Sequence, residues 1–175
     1  VENIYDDSVY KKAEENFQHL LGKQYLVREN ENCIYLYRLE TETHSQIGIA
    51  ACCSVDEYAN GIIKKHEYTR KEKEDDRVRH MLSLQAHPGP VLLTFRSSEN
   101  LNSLIESSTA EEPLFDFTAA DNIRHTLWKI EDPADSFVEA FRDIPNLYIA
   151  DGHHRAAGAY RVREEMKHRN HTHTG

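Results

Sequence analysis

Residues 147–155, LYIADGHHR, carry the strongest structural signal in the sequence. The apolar run Leu147–Ala150 predicts a buried strand, and the residues from position 153 onward predict a helix. Gly152 lies between the two and allows a tight turn whose backbone can approach a ligand closely. The first N–H groups of a helix have no partner within it, and the helix dipole favours negative charge there. We therefore predict a phosphate- or nucleotide-binding site at this strand–turn–helix.

Three side chains of the turn suit an anionic ligand, and a fourth suits a hydroxyl group or a metal ion. Arg155 can bind two phosphate oxygens at once, and His153 and His154 can donate to them, while Asp151 can hold a hydroxyl group or hydrated Mg²⁺. The turn alone leaves a second interpretation equally open, in which Asp151 caps the helix, the histidines lie on the surface and Arg155 forms an ion pair. We assign no metal ligand, because adjacent histidines diverge on a helix and no HExxH or paired-cysteine pattern occurs.

A second polar cluster surrounds His66 and Glu67, just before a predicted helix over residues 70–85. Glu67 could act as a general base toward a hydroxyl group. Arg70 and Arg77 recur at helical spacing and could contact a phosphate tail. For the individual arginines and lysines a solvated helix with ion pairs is the better explanation, and for His66 and Glu67 the sequence favours neither.

The remaining sequence predicts strands in pairs with helices between them. Ser8 and the pair Thr69–Glu72 fit helix caps. Residues 56–68 give no clear prediction. Apart from the elements already named, the predicted helices are Ser8 to about Leu21, Ser98–Ile105, one that starts at Pro133, and 153–168; the predicted strands are 33–39, 46–55, 91–95, 114–118 and 123–130. This order favours an α+β (mixed α/β) fold over a regular doubly wound sheet.

Length and charge restrict the class of protein. The chain has 175 residues, enough for one domain with a core, and we predict a single domain over residues 1–175. Its ends have no obvious terminal character, so we expect a fragment of a longer chain. The net charge of −9 disfavours nucleic acid as a partner.

Cysteine usage and hydropathy indicate the compartment. Cys33, Cys52 and Cys53 are odd in number and lack paired spacing, which predicts reduced, buried thiols in a cytoplasmic protein. No apolar run approaches the length of a membrane span, so we expect no membrane partner. The sequence does not indicate an oligomeric state.

Several stretches together resemble the family known as domain of unknown function 1015. They are HSQIGIAACCSVDEYANGIIKKHEYTRKEKEDDRVRH (44–80), GPVLLTF (89–95), PLFDFT (113–118), RHTLWKI (124–130) and LYIADGHHRAA (147–157). The resemblance covers nearly the whole chain, and members of that family continue past both of its ends. The combination of the two polar motifs is specific, whereas either motif alone is weak.

The same two motifs are similar to elements of the wider ParB/sulfiredoxin-like superfamily. There, a His-Glu segment and a glycine-containing turn face each other across a nucleotide. The resemblance implies a mixed sheet with flanking helices and a large insertion between Glu67 and Asp151. Sulfiredoxin carries a catalytic cysteine where His153 stands, so this chain cannot perform that chemistry there. Free-serine kinases of the superfamily are similar at both motifs, which implies that Glu67 is the base on the acceptor hydroxyl.

We therefore expect a nucleotide-binding phosphotransferase of kinase type that acts on a small hydroxylated metabolite such as free serine, with ATP or ADP and Mg²⁺. The alternative is a non-catalytic, nucleotide-responsive regulatory module of ParB-like type, which would use the turn but would not need Glu67. The expected catalytic residues are Glu67 and Asp151, and the expected nucleotide- and phosphate-binding residues are His66, Arg70, Arg77, Gly152, His153, His154 and Arg155.

Overall fold

The computed structural model describes residues 3–131, 134–170 and 172 of the chain. The chain divides into two compact units. Unit 1 consists of residues 1–28, 54–95 and 146–175, and unit 2 consists of residues 29–53 and 96–145. That the whole chain acts as a single domain stays a prediction.

Both units combine a sheet with helices, so the fold is mixed α+β, as the sequence predicts. In chain order the described elements are α1 (Asp7–Gly22), β1 (Ile34–Glu40), β2 (Ser45–Ala50), α2 (Val55–Ala59), β3 (Ile63–Lys64), α3 (Lys71–Leu84), β4 (Leu92–Thr94), α4 (Glu99–Ser108), β5 (Phe115–Thr118), β6 (Arg124–Ile130), α5 (Ala134–Arg142), β7 (Leu147–Asp151) and α6 (His153–Arg169). In the described part of the chain, no helix is both long enough and apolar enough to cross a membrane.

Unit 1 is built around a three-stranded sheet of order β3-β7-β4. The central strand β7 runs parallel to β3 and antiparallel to β4. Ile63 of β3 and Ile149 of β7 are buried. Helices α3 and α6 pack closely at Gly158. A Cβ atom added to this glycine would lie only 3.0 Å from the Cβ atom of Arg77. The strand that leads into the Asp-Gly-His-His-Arg turn is thus paired on both sides, and the helix after the turn packs against a second helix.

Unit 2 contains a four-stranded antiparallel sheet of order β2-β1-β6-β5. Leu36 and Trp128 are register partners on β1 and β6, and both are buried. Leu101 of α4 and Phe137 of α5 are fully buried, and these two helices contact each other. Apolar side chains from the sheet and from both helices therefore form the core of this unit.

Most elements were predicted correctly in type and approximate position. The two predicted hairpin pairs, 33–39 with 46–55 and 114–118 with 123–130, correspond to β1–β2 and β5–β6. The segment that gave no prediction holds β3 and all of α2 except its first residue, Val55. The predicted helix start at Pro133 lies outside the described residues.

Two predicted helix caps are wrong. The N-cap of α1 is Asp6, whose carboxylate accepts from the backbone N–H of Ser8. At α3 the N-cap is Arg70, without a side-chain cap, because the Thr69 hydroxyl donates to the Glu74 carboxylate instead of closing a capping box. In both cases a neighbouring carboxylate is the better partner, which short-range spacing does not reveal.

The predicted burial of the cysteines is also wrong. Cys52 and Cys53 are exposed, and Cys33 is half-buried. The apolar run from position 46 suggested a strand that continues through both residues, but β2 ends at Ala50. Cys52 and Cys53 come after the end of β2, and Cys33 directly precedes β1, so none of the three lies within a strand.

Candidate functional site

The start of helix α6 has the geometry of an anion site. Strand β7 ends at Asp151, and Gly152 takes the left-handed conformation (φ 99°, ψ 29°) before the helix begins at His153. The amide of Ala156 donates to the carbonyl of Gly152 at 2.9 Å, which closes the first turn. No side chain in the described part of the chain caps the helix. Its first N–H groups are therefore left for a ligand or for water.

Strand pairing brings the two polar motifs to the same edge of the sheet. Strand β3 is parallel to β7, with Lys64 paired to Tyr148. Glu67 follows Lys64 by three residues, as Asp151 follows Tyr148. Because adjacent parallel strands end at one edge, the chain leaves the sheet at both motifs side by side.

Arg155 folds back over the start of its own helix. Its Nη2 atom donates to Oδ2 of Asp151 at 2.5 Å. A Cβ atom on Gly152 would lie 2.8 Å from this Nη2, and a Cβ atom on Gly89 would lie 2.8 Å from Cδ of Arg155. Real Cβ atoms do not approach other atoms so closely, so both positions require glycine for this arrangement. The guanidinium is thus held beside the uncapped turn.

His153 connects the turn to the His-Glu segment. Its side chain is only 5% exposed, its Nδ1 lies 3.5 Å from Oε2 of Glu67, and its ring meets the ring of His66 edge-on at 4.4 Å between centroids. The Glu67 side chain remains 62% exposed. Glu67 therefore contacts the first residue of α6, and its carboxylate remains accessible from solvent.

The other predicted site residues separate into two groups. Nε2 of His154 accepts a hydrogen bond from the backbone N–H of Arg70 at 3.2 Å, so Arg70 lies at the site through its backbone. Its guanidinium lies 3.8 Å from a carboxylate oxygen of Glu72. Arg77 packs against Gly158 instead, about 8 Å along α6 from His153, and its guanidinium lies 3.3 Å from Asp76. The contacts of Arg77 are those of a helix–helix interface.

Two buried nitrogen atoms at the site have no hydrogen-bond partner among the described residues. They are Nε2 of His153 and Nε of Arg155. Buried polar atoms are nearly always paired, and leaving one unpaired costs about 1–3 kcal/mol. Both atoms belong to the first turn of α6, where a phosphate group or ordered water could satisfy them. Nε of Arg155 is always a donor, and Nε2 of His153 is a donor when it carries a ring proton, so in that protonation state both nitrogens suit an anion.

The capping interpretation of the turn is wrong in two of its three parts. The N-cap is Gly152, so Asp151 does not cap the helix, and His153 is buried rather than on the surface. The ion pair of Arg155, with Asp151, is present. Over the described ranges, no group of three or more His, Cys, Asp or Glu side chains could hold a metal ion.

Sequence reasoning missed the loop that holds Arg155 from the other side. Gly89 contacts the aliphatic part of Arg155, as described above. His87 lies in the same loop and is exposed as a whole residue. The pKa of its imidazole is lowered, first by partial burial of the ring and second by the charge of Arg155. The signal was present in Pro88-Gly89-Pro90, a rigid turn around a glycine, but nothing in the sequence paired it with Arg155.

Comparison with known proteins identifies a family but not an activity. The model of the family described as protein of unknown function (DUF1015) matches residues 1–175. No curated protein and no solved structure matches the chain. The family resemblance seen in the sequence is confirmed over the full chain, and any function must be argued from the site.

Proposed function

The chain belongs to the DUF1015 family, and we propose that it is a nucleotide-binding phosphotransferase that phosphorylates a small hydroxylated metabolite such as free serine. One observation carries this proposal. The Glu67 carboxylate lies 3.5 Å from His153, the first residue of a helix without a side-chain cap. An accessible carboxylate and a helix start without a side-chain cap thus lie beside each other, and this supports a site for phosphoryl transfer to a hydroxyl.

The turn would bind the phosphates of the nucleotide. The first N–H groups of α6 and the Arg155 guanidinium offer donors to phosphate oxygens, and Nε2 of His153 and Nε of Arg155 are the buried nitrogens that lack a partner. Asp151 is 73% exposed and could hold hydrated Mg²⁺, which would neutralise phosphate charge. Binding would require the Arg155–Asp151 pair to open or to share its guanidinium with the phosphate.

Glu67 would act on the acceptor. Its carboxylate takes the proton of the acceptor hydroxyl while the hydroxyl oxygen forms a bond to the terminal phosphorus. The bond from this phosphorus to the bridging oxygen breaks, and the electron pair leaves with the nucleotide product. The buried His153 ring lies against Glu67 and would restrict the movement of its carboxylate on that side.

The superfamily resemblance supports the same assignment. In the ParB/sulfiredoxin-like proteins a His-Glu segment and a glycine-containing turn face each other, and here β3 and β7 end at the same edge of one sheet. We propose that the chain is a distant member of that superfamily and that residues 96–145, which belong to unit 2, form the insertion between the motifs.

The test compares two carboxamide variants. We expect Glu67→Gln to reduce kcat by a factor of about 10²–10⁴, because the amide keeps the shape but cannot accept the proton, while nucleotide binding is retained. Glu72→Gln is the matched control, since Glu72 is exposed on the first turn of α3. Nucleotide binding is measured by thermal shift with ATP, ADP or CTP and Mg²⁺, and turnover with a panel of hydroxylated metabolites, serine first.

The same assays separate the regulatory alternative. Arg155→Ala should weaken nucleotide binding itself, because a charge-assisted contact to phosphate is lost. Nucleotide binding that needs Arg155, with no phosphorylated product across the panel and no effect of Glu67→Gln, would favour a nucleotide-responsive module. Absence of any thermal shift with all three nucleotides would exclude both functions.

A further inference from the structure

An open depression of about 340 Å³ lies within unit 1, beside helix α6. This volume is at the lower end of the range for small-molecule sites. Its lining includes Tyr58, Lys65, Glu74, Ala157, Tyr160 and Arg161. None of these residues was assigned to the phosphate site, so the depression is a separate feature that calls for its own explanation.

The depression is aligned with the phosphate site along one helix. Ala157, Tyr160 and Arg161 follow His153 by four, seven and eight residues, and residues at this spacing share one face of a helix. With a rise of about 1.5 Å per residue, they lie about 6–12 Å from the start of α6. Lys65, which also lines the depression, is two residues before Glu67, so their Cα atoms are at most about 7 Å apart.

Most charges in the depression are already neutralised. Arg161 donates to Oε2 of Glu74 at 3.1 Å and to Oδ1 of Asp75 at 2.6 Å. Glu74 also accepts from the hydroxyl of Thr69. Asp75 also forms an ion pair with Lys71 at 2.9 Å, so the four charges balance, and these groups add polar surface but little net charge for a ligand.

Lys65 is the exception. Among the described residues it forms no ion pair, although the chain has a net charge of −9. Its ammonium instead lies 3.6 Å from the centroid of the Tyr58 ring. A cation held by an aromatic face keeps its charge for an incoming anion. The Tyr58 ring is in turn 6.0 Å from the Tyr160 ring, and burial, followed by the charge of Glu74, raises the pKa of Tyr58.

We infer that this depression is the acceptor subsite and that Lys65 selects acceptors that carry a carboxylate. A small hydroxy acid would place its carboxylate on Lys65 and its hydroxyl at Glu67, with its carbon skeleton against Tyr58 and Tyr160. This inference rests on the proposed phosphotransferase function for the role of Glu67, but carboxylate binding at Lys65 stands on the geometry alone.

The test uses two neighbouring lysines. Lys65→Met keeps the aliphatic stem and removes the charge, and Lys64→Met is the matched control, because Lys64 is exposed on β3 and is not in the lining. Probes are L-serine and D-glycerate, with serinamide and glycerol as the counterparts that lack a carboxylate. We expect Lys65→Met to raise KM for the two carboxylates by about 10- to 100-fold and to leave the acceptors without a carboxylate unchanged, while Lys64→Met behaves as wild type.

Binding without nucleotide separates this inference from the proposed function. We expect L-serine, but not serinamide, to shift the ¹⁵N–¹H NMR signals of Tyr58, Lys65 and Tyr160 in the wild type, and Lys65→Met to abolish the shift. Such shifts without any turnover would retain the subsite and reject the phosphotransferase. Turnover that needs Glu67 but responds equally to both lysine variants would retain the enzyme and reject the subsite, as would the absence of any shift with both acids.

Discussion

At the scale of single residues, two glycines determine where the Arg155 guanidinium lies. Gly152 has φ 99° and leaves room for Nη2, whereas Gly89 leaves room for Cδ at ordinary backbone angles. The position of Arg155 therefore depends on the space that these two glycines leave, as well as on its ion pair with Asp151. This is why Asp-Gly-His-His-Arg is informative as a unit and the arginine alone is not.

We predict that Gly152→Ala weakens nucleotide binding at least about tenfold, because the new Cβ would displace the guanidinium that contacts phosphate. The left-handed backbone also costs a non-glycine residue about 1–2 kcal/mol of stability. Gly61→Ala is the control for that strain, since Gly61 has φ 77° and nothing within 4 Å of a new Cβ. Calorimetric titration and urea unfolding measure the two effects. Equal nucleotide affinity in both variants would contradict the role of Gly152.

At the scale of elements, the contact between α1 and α3 includes a partly buried hydrogen bond. The phenol of Tyr10, 5% exposed, donates to Oδ1 of Asp76 at 2.7 Å. Burial and then this acceptor raise the pKa of Tyr10 to about 12. The first helix is thus joined to the helix that packs on α6, although it contributes no residue to the candidate site.

We predict that Tyr10→Phe lowers the free energy of unfolding by about 1.5–3 kcal/mol at neutral pH, the usual contribution of a hydrogen bond to a charged group. The unfolded chain loses the phenolic proton near pH 10, whereas the folded protein keeps it to about pH 12. This contribution is therefore complete below about pH 10 and is lost as the pH rises toward 12. The difference in urea unfolding between wild type and Tyr10→Phe should shrink over that interval. Tyr25→Phe, at a residue that is 73% exposed, should leave stability unchanged at every pH.

Elements with strong periodicity could be predicted from the sequence, and those set by distant partners could not. The apolar run Leu147–Ala150 and the glycine after it located β7 and α6 correctly. Strand β3 has only two residues, so no alternation was visible, and its parallel pairing with β7 is what brings Glu67 to the site. The burial of His153 was equally hidden, because it depends on packing against the His66 ring from another segment.

At the scale of the whole molecule, the candidate site and the proposed subsite both lie within unit 1. The division into units was not predictable, because each unit is assembled from separate segments of the chain. Strand β1 pairs with β6 across about half of the sequence, and alternation in a strand indicates that one face is buried without indicating which strand it pairs with. Residues 96–145 supply Leu101 and Phe137 to the core of unit 2.

This division predicts that stability and binding respond differently to core mutations. Leu36 in unit 2 is fully buried, and Ile149 in unit 1 is 1% exposed and lies two residues before Asp151. Truncating either residue to alanine should lower the free energy of unfolding by about 2–5 kcal/mol, through lost burial and the cavity left behind. Only Ile149→Ala should also weaken nucleotide binding, because a cavity under β7 lets the turn that carries Gly152 and Arg155 shift. Nucleotide affinity is measured by calorimetric titration below the unfolding transition of each variant. If Leu36→Ala reduces nucleotide affinity as much as Ile149→Ala does, residues of unit 2 contribute to the nucleotide site, and its assignment to unit 1 alone is wrong.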